Sequence, residues 1–272
     1  MKSCPLCQSE AVKRFELAYT IVWRCRAAGC CLQFALPQLD EATLARAYST
    51  HYYPSNGNAS DLTYENTPEQ ILRQTFGEVR AKLGPLAGKK LLDFGCGLGR
   101  LCQVAEEYGI RATGIEPDAN AREKACKSSG LRAYASLGSL REAQPEAKFD
   151  IVTMWDVIEH LREPWKELKE LSTMLRPGGC LLLSTPNAAS LRARVERKRW
   201  ENYVNPTHFY YFRRDSLRSV FRKSGFSRIE EWRCLFSYPH HGLLRRAAQR
   251  ILQVAGVSGH LLFVAKAAGP HG

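Results

Sequence analysis

Apolar and polar positions divide this chain into a patterned main part and a shorter N-terminal part. From Lys89 onward, apolar runs alternate with amphipathic stretches. Leu91 to Asp93 reads as a buried strand end, Leu101 to Tyr108 as a helix, Ala112 to Glu116 as a second strand and Ala119 to Ser128 as a second helix. A weak third strand is expected near Leu131 to Ala135, a strong one at Phe149 to Met154 with Trp155 and Asp156 just past its end, a helix from Pro164 to Leu175 and an apolar strand at Cys180 to Ser184. Such alternation argues for a parallel, doubly wound sheet. Further on, a helix is expected over Ser216 to Ser224, a strand over Arg228 to Trp232, a basic amphipathic helix over Leu243 to Val254 and a final antiparallel strand over His260 to Lys266.

Upstream, Tyr19 to Arg24 alternates as one strand of a hairpin. A short helix is expected over Asp40 to Ser49, and Ser55 to Ser60 has linker composition. Tyr52 and Tyr53 beside it read as packing on the main domain in preference to forming a lid. Thr67 and Pro68 have the chemistry of an N-cap and a first helical residue, and Gly84-Pro85 stops the helix they begin. The expected organisation is a module over 1–36, a helix and linker over 37–67 and a main domain over 68–272, with an insertion at about 188–215.

The formal net charge is +12, and it is uneven: Ala188 to Arg250 carries fifteen Lys/Arg against five Asp/Glu. That excess suits an anionic partner, such as nucleic acid, a small anionic substrate like a nucleotide-linked sugar, or an anionic membrane surface, as well as a solvated surface. No apolar run is long enough to span a bilayer, and the start of the chain has no secretory pattern, so the expectation is a soluble cytoplasmic protein.

The chemistry concentrates around Asp93-Phe94-Gly95-Cys96-Gly97-Leu98-Gly99. An acid at a strand end, three alternate glycines and a helix start form a place where a ligand can approach backbone N–H groups closely. The spacing is neither Gly-x-Gly-x-x-Gly nor a phosphate loop ending in Gly-Lys-Ser/Thr. Glu116, at the next strand end, stands where a carboxylate can accept bonds from two ribose hydroxyls.

Together with Asp156-Val157-Ile158-Glu159-His160-Leu161, Leu175-Arg176-Pro177-Gly178-Gly179 and Thr185-Pro186-Asn187, these stretches resemble the class I S-adenosylmethionine (SAM) methyltransferases. The resemblance implies an α/β, doubly wound, mostly parallel seven-stranded Rossmann-like sheet. It implies SAM as cofactor, with Asp93, Gly95, Gly97 and Gly99 around the methionine part, Glu116 on the ribose and Trp155 and Asp156 at the ligand edge. Where the family often has an acid beside adenine, Ser136-Leu137 stands here, which makes Leu137 a backbone or apolar contact. His208 matches a histidine of the insertion that covers the substrate side, and His160 leaves the ligand edge of the fourth strand. Both are candidates for the base that removes an acceptor proton. Glu159-His160 has no second histidine nearby in sequence, so a catalytic metal is not expected.

Five of the ten cysteines lie in the first 31 residues. Cys4-x-x-Cys7 and Cys25-x-x-x-x-Cys30, flanking a hairpin, read as a thiolate zinc site of structural type. Zinc ribbons ahead of related methyltransferases have a similar second knuckle. In that alignment Cys30 is the ligand and Cys31 takes a glycine place, with Cys31 as the alternative ligand. A module this small depends on its metal for folding energy. The leading expectation is a SAM-dependent methyltransferase acting on a small hydroxylated substrate, a saccharide or related metabolite, most readily at oxygen. The alternatives are an RNA methyltransferase using the basic surface and zinc module, and a SAM- and zinc-binding interaction protein without turnover.

Overall fold

The computed structural model describes residues 2–47, 69–232, 251–252 and 255–267. In chain order the first elements are β1 (Lys2–Ser3), β2 (Glu10–Glu16), β3 (Ile21–Cys25), β4 (Gln33–Leu36), α1 (Glu41–Ala47) and α2 (Glu69–Leu83). There follow β5 (Lys90–Phe94), α3 (Arg100–Glu107), β6 (Arg111–Ile115), α4 (Ala119–Ser129), β7 (Arg132–Tyr134), α5 (Leu137–Ala143) and β8 (Phe149–Trp155). A 3₁₀ turn (Ile158–His160) leads to α6 (Pro164–Met174), β9 (Leu175–Pro186), α7 (Leu191–Glu196), α8 (Glu201–Val204), β10 (Tyr210–Tyr211), α9 (Arg214–Lys223), β11 (Phe226–Glu231) and β12 (His260–Ala267). The linker at Ser55 to Ser60, Tyr52 and Tyr53, most of the expected basic helix at Leu243 to Val254, and Cys234 lie outside the described residues.

Seven strands form the main sheet in the order β11-β12-β9-β8-β5-β6-β7. β9, β8, β5, β6 and β7 run parallel, and β12 is antiparallel to both neighbours. This is the mostly parallel Rossmann-like sheet expected from the sequence. Its strands are apolar on both faces because helices cover both. Leu92, Val152, Leu181 and Phe263 enter one core, while their neighbours Leu91, Ile151, Leu182 and Val264 enter the other. The alternation follows from the two-residue period of a strand. Chain order reverses between β5 and β8, and the C-terminal strand ends at that point form the crevice where open α/β sheets bind ligands.

The local signals account for much of this. Asp118 caps α4 by accepting from the Ala121 N–H at 2.8 Å, and Gly130 ends that helix in a left-handed conformation. Ser136 and Ser139 form a capping box that starts α5, a helix that the apolar pattern of the sequence does not announce. The expected sharp turn at Pro177-Gly178-Gly179 is instead part of β9. Leu175 still pairs with Phe149, and Cys180 pairs with Ile151, so the intervening residues bulge out of the ladder.

The second sheet has the order β1-β2-β3-β4-β10. Its fifth strand comes from the 188–215 insertion, not from the N-terminal stretch. Tyr210 pairs with Phe34 and Tyr211 with Gln33, and the Ala35 N–H donates to the Phe209 carbonyl at 2.9 Å. A shared apolar cluster of Val22, Ala35, Ala193, Trp200, Tyr203 and Tyr211 lies behind this pairing.

Candidate functional site

Two strand ends and a tight turn build the floor of the crevice. Asp93 is buried near the end of β5, where its carboxylate accepts from the Thr153 hydroxyl at 2.7 Å. Gly95, Gly97 and Gly99 follow, all with positive φ. A side chain at Gly95 meets both backbone strain and a steric clash: its φ is +86°, and a Cβ there would lie 2.3 Å from Val157 Cγ2. The turn is laced to the end of β6. Gly95 and Cys96 donate to the Ile115 carbonyl at 2.8 and 2.9 Å, and Gly97 donates to Glu116 Oε2 at 3.0 Å. Glu116 Oε1 accepts from the Asp118 N–H at 2.9 Å. Glu116 therefore fixes the glycine turn, a role that its position in sequence does not disclose.

Leu137 is buried at the start of α5 in the core cluster that contains Phe94 and Ile115. Trp155 closes β8 and is buried, and Asp156 follows with φ 51°, a backbone strain for a non-glycine residue of the kind that collects at functional sites. Asp156 accepts from the Ser184 hydroxyl at 2.8 Å and faces His260 Nε2 at 3.6 Å. Burial works against its ionisation, but the charge and hydrogen bond of His260 and the Ser184 hydroxyl together hold the carboxyl below its usual range. For His260, desolvation is likewise outweighed by Asp156, which raises the imidazole above its usual value. His260 is carried on a strap pinned by the buried Asn187, whose side-chain amide donates to the Gly256 and Ser258 carbonyls at 3.2 and 2.9 Å.

The two expected histidines meet. His160 on the 3₁₀ turn and His208 on the insertion have ring centroids 4.5 Å apart, edge to face. Thr207 lies against His160 Nδ1 through its hydroxyl and its carbonyl, each at 3.1 Å, and Asn205 Nδ2 lies 3.2 Å from His208 Nε2. Burial lowers the His160 pKa to about 4, and burial followed by the neighbouring His160 places His208 well below its usual range. Both rings are neutral near pH 7. Donor atoms of Glu159, His160 and His208 all lie within 4.8 Å of one another, a set able to hold a divalent cation. The second histidine that the local sequence around Glu159 lacks is thus brought in from the insertion by the fold. Burial, then the charge of Asp156, raises the Glu159 pKa to about 8, while its Oε2 accepts from Thr185 at 2.9 Å.

Neither Thr207 nor His260 carries a local sequence signal that places it here, and Thr185 enters only through the Thr185-Pro186-Asn187 stretch. Asp-Val-Ile-Glu-His-Leu was the only local signal for Glu159. His260 looks like any strand start until β12 is placed beside β9. A separate cleft of about 550 Å³, walled by Lys90, Arg111, Arg132 and Phe149, opens at the starts of the strands and not at the glycine turn.

In the N-terminal module, Cys4, Cys7, Cys25 and Cys30 bring their sulfur atoms within 4.8 Å of one another, with Cys4–Cys30 at 3.8 Å and Cys7–Cys25 at 3.4 Å. Four thiolates about 2.3 Å from a tetrahedral zinc stand about 3.8 Å apart, so the set fits that ion. Cys31 stands outside the cluster. Its φ is +50°, the conformation of a glycine place, and its sulfur lies 3.2 Å from the Ala28 carbonyl.

Residues 69–231 match the family model described as "Methyltransferase domain". The ubiquinone biosynthesis O-methyltransferase of Aeromonas salmonicida is 35% identical over 111 residues, covering 39% of this chain and 47% of the relative. The enzyme of that name from a Bradyrhizobium strain is 32% identical over 109 residues, covering 39% and 43% respectively. The chain thus spans less than half the length of these curated relatives. Among solved structures, a Burkholderia thailandensis 1,6-didemethyltoxoflavin-N1-methyltransferase with bound S-adenosylhomocysteine aligns with TM-score 0.57 at 16% identity, covering 94% of this chain and 99% of that one. A Haemonchus contortus phosphoethanolamine N-methyltransferase in complex with SAM aligns with TM-score 0.55 at 16% identity, covering 87% and 62%. At such identities the likeness shows the fold alone. The chain belongs to the methyltransferase domain family and has the class I fold of SAM-dependent methyltransferases.

Proposed function

We propose that this family member transfers a methyl group from SAM to a hydroxyl of a small metabolite, a saccharide or related precursor, in the cytoplasm. The observation that carries the reading is the convergence of Asp93, the Gly95–Gly99 turn, Glu116 and Asp156 at one edge of the sheet, with His160 and His208 meeting above it. The choice of oxygen leans on relatives named O-methyltransferases. A structural zinc on Cys4, Cys7, Cys25 and Cys30 completes the reading.

When bound, SAM supplies a sulfonium-activated methyl group. The chain's own task is to hold that methyl in line with the acceptor, exclude bulk water and take the hydroxyl proton. The glycine turn lets the backbone approach the ligand, and Glu116 accepts bonds from the ribose. Leu137 and Trp155 supply buried apolar surface. His160 and His208, kept neutral by burial, are the proton acceptors on the covering side. A positioned general base contributes about 10²- to 10⁴-fold in rate.

The test is incubation with methyl-labelled SAM and fractionated cell extract, sorting label into saccharide, RNA, lipid and protein. Label in small hydroxylated metabolites is the expected result, and label confined to RNA overturns it.

A further inference from the structure

We propose that the seam between the N-terminal module and the 188–215 insertion is a phosphoryl-binding subsite, formed by Arg14, Arg24, Arg197 and Arg213 around Tyr203, which takes the phosphate or diphosphate group of the methyl acceptor. The term "acceptor" rests on the reading above; the site itself does not.

Four separate segments supply these cations. Arg14 sits at the irregularity between Lys13 and Phe15 in the β2–β3 pairing, where a bulge re-aims a side chain. Its guanidinium lies 4.7 Å from the Phe15 ring centroid and 5.7 Å from that of Tyr203. Arg24 on β3 pairs with Gln33, whose side-chain oxygen accepts the Tyr203 hydroxyl at 2.7 Å. Tyr203 packs on Tyr211 at 4.6 Å and on Trp200 at 5.0 Å. Arg213 follows Tyr211 by two residues, and Arg197 precedes Trp200 by three on a turn with φ 51°. Arg14 and Arg213 are half-buried at the centre, and Arg24 and Arg197 are exposed at the rim.

The chemistry of the seam is one-sided. Among the described residues, none of the four arginines forms an ion pair with a carboxylate, whereas Arg73, Arg176 and Arg192 do. Glu16, the acid on β2 nearest Arg14 in sequence, is bound to Lys13. Among the described residues, Arg213 Nε, Gln33 Nε2 and Tyr211 Oη are buried with no hydrogen-bond partner. Burial is the main influence disfavouring the Arg14 charge; Tyr203 opposes it, and smaller repulsions from Arg24, Arg213 and Arg197 add to it. Clustered cations beside surplus donors are relieved by an anion with several acceptor oxygens, and planar guanidinium groups match phosphate geometry. Arg213 also borders a cleft of about 180 Å³, walled further by Arg194, Arg214 and one acid, Asp215. Convergence on a single tyrosine favours a compact phosphoryl group over a polynucleotide, whose backbone would call for a longer track of cations.

Titration calorimetry of the whole, zinc-loaded protein with inorganic pyrophosphate tests the site. The expected result is saturable one-to-one binding, weakened at least tenfold by Arg14→Gln or Arg213→Gln and severalfold by the exposed Arg24→Gln, with Arg26→Gln unchanged. The Arg24 variant keeps the test decisive if the half-buried substitutions disturb folding. No saturable binding, or equal weakening by Arg26→Gln, overturns the proposal. So does an RNA oligomer that depends on Arg14 and Arg24 yet is not displaced by pyrophosphate. Pyrophosphate competing with the acceptor, and Arg24→Gln raising KM for phosphorylated but not for dephosphorylated acceptors, is the expected kinetic result. Equal turnover of both acceptor forms refutes the assignment to the acceptor. Intact pyrophosphate binding without methylation of any hydroxylated acceptor upholds the site and overturns the O-methylation reading instead.

Discussion

Replacing Gly95 by alanine separates backbone strain from steric collision in the turn that organises the crevice. Gly130 is the matched control: both glycines have positive φ, +86° and +66°, but among the described residues nothing lies within 4 Å of a Cβ at Gly130. Holding an L-residue in the left-handed region costs roughly 1–2 kcal/mol, and Gly130→Ala should lose about that. At Gly95 the added Cβ stands 2.3 Å from Val157 Cγ2, well inside the roughly 3.5–4.0 Å of a carbon–carbon contact. Overpacking of this kind adds about 1–3 kcal/mol. Gly95→Ala should therefore lose about 2–5 kcal/mol, which for a chain of this size corresponds to a Tm fall of roughly 4–20 °C. Val157→Ala removes both colliding methyl groups, so the Gly95→Ala, Val157→Ala pair should recover about 1–3 kcal/mol in a double-mutant cycle. Thermal denaturation gives the stabilities and calorimetry gives the SAM affinity, which should fall at least tenfold in Gly95→Ala and stay unchanged in Gly130→Ala. Equal destabilisation by the two substitutions, no recovery in the pair, or unaltered SAM binding would refute the reasoning.

Glu116→Ala removes the carboxylate proposed to hold the ribose and strands the Gly97 and Asp118 N–H groups; SAM affinity should fall, and stability should drop by roughly 1–3 kcal/mol per orphaned group, as read by calorimetry and urea denaturation. The Cys4→Ser, Cys7→Ser variant should lose stoichiometric zinc by metal analysis, and because β4 pairs with β10 immediately after His208 and Phe209, hydrogen exchange at Tyr210 and Tyr211 should rise with it. Asn187→Ala leaves the Gly256 and Ser258 carbonyls and the Ala189 N–H without their partner, so a loss of about 2–4 kcal/mol is expected; an unchanged denaturation midpoint would contradict the strap. His160→Gln and His208→Gln should leave SAM affinity near wild type, and at least one should lower kcat by about 10²- to 10⁴-fold; full activity in both would remove them from proton transfer.

Local chemistry determined most of the main domain. The strand–helix alternation, the acids closing β5 and β6, the three glycines and the Asp156–His160 stretch each depend on neighbours in sequence, so their spacing exposed the sheet and its ligand edge. The cysteine spacing picked out four residues whose sulfur atoms the fold gathers together. Other features needed the tertiary structure because they arise from pairing between distant segments. β10 joins the module's sheet across more than 170 residues. That pairing, with the Phe209 N–H donating to the Glu159 carbonyl at 2.8 Å, brings His208 to His160 and Glu159. β12 lies beside β9 and carries His260 to Asp156. Four arginines scattered from residue 14 to residue 213 are unremarkable in a basic chain until the same β4–β10 pairing closes around Tyr203. Side-chain period and turn chemistry are short-range and can be read along a chain, whereas register between remote strands is set by burial of both faces at once and by which edges remain to be paired.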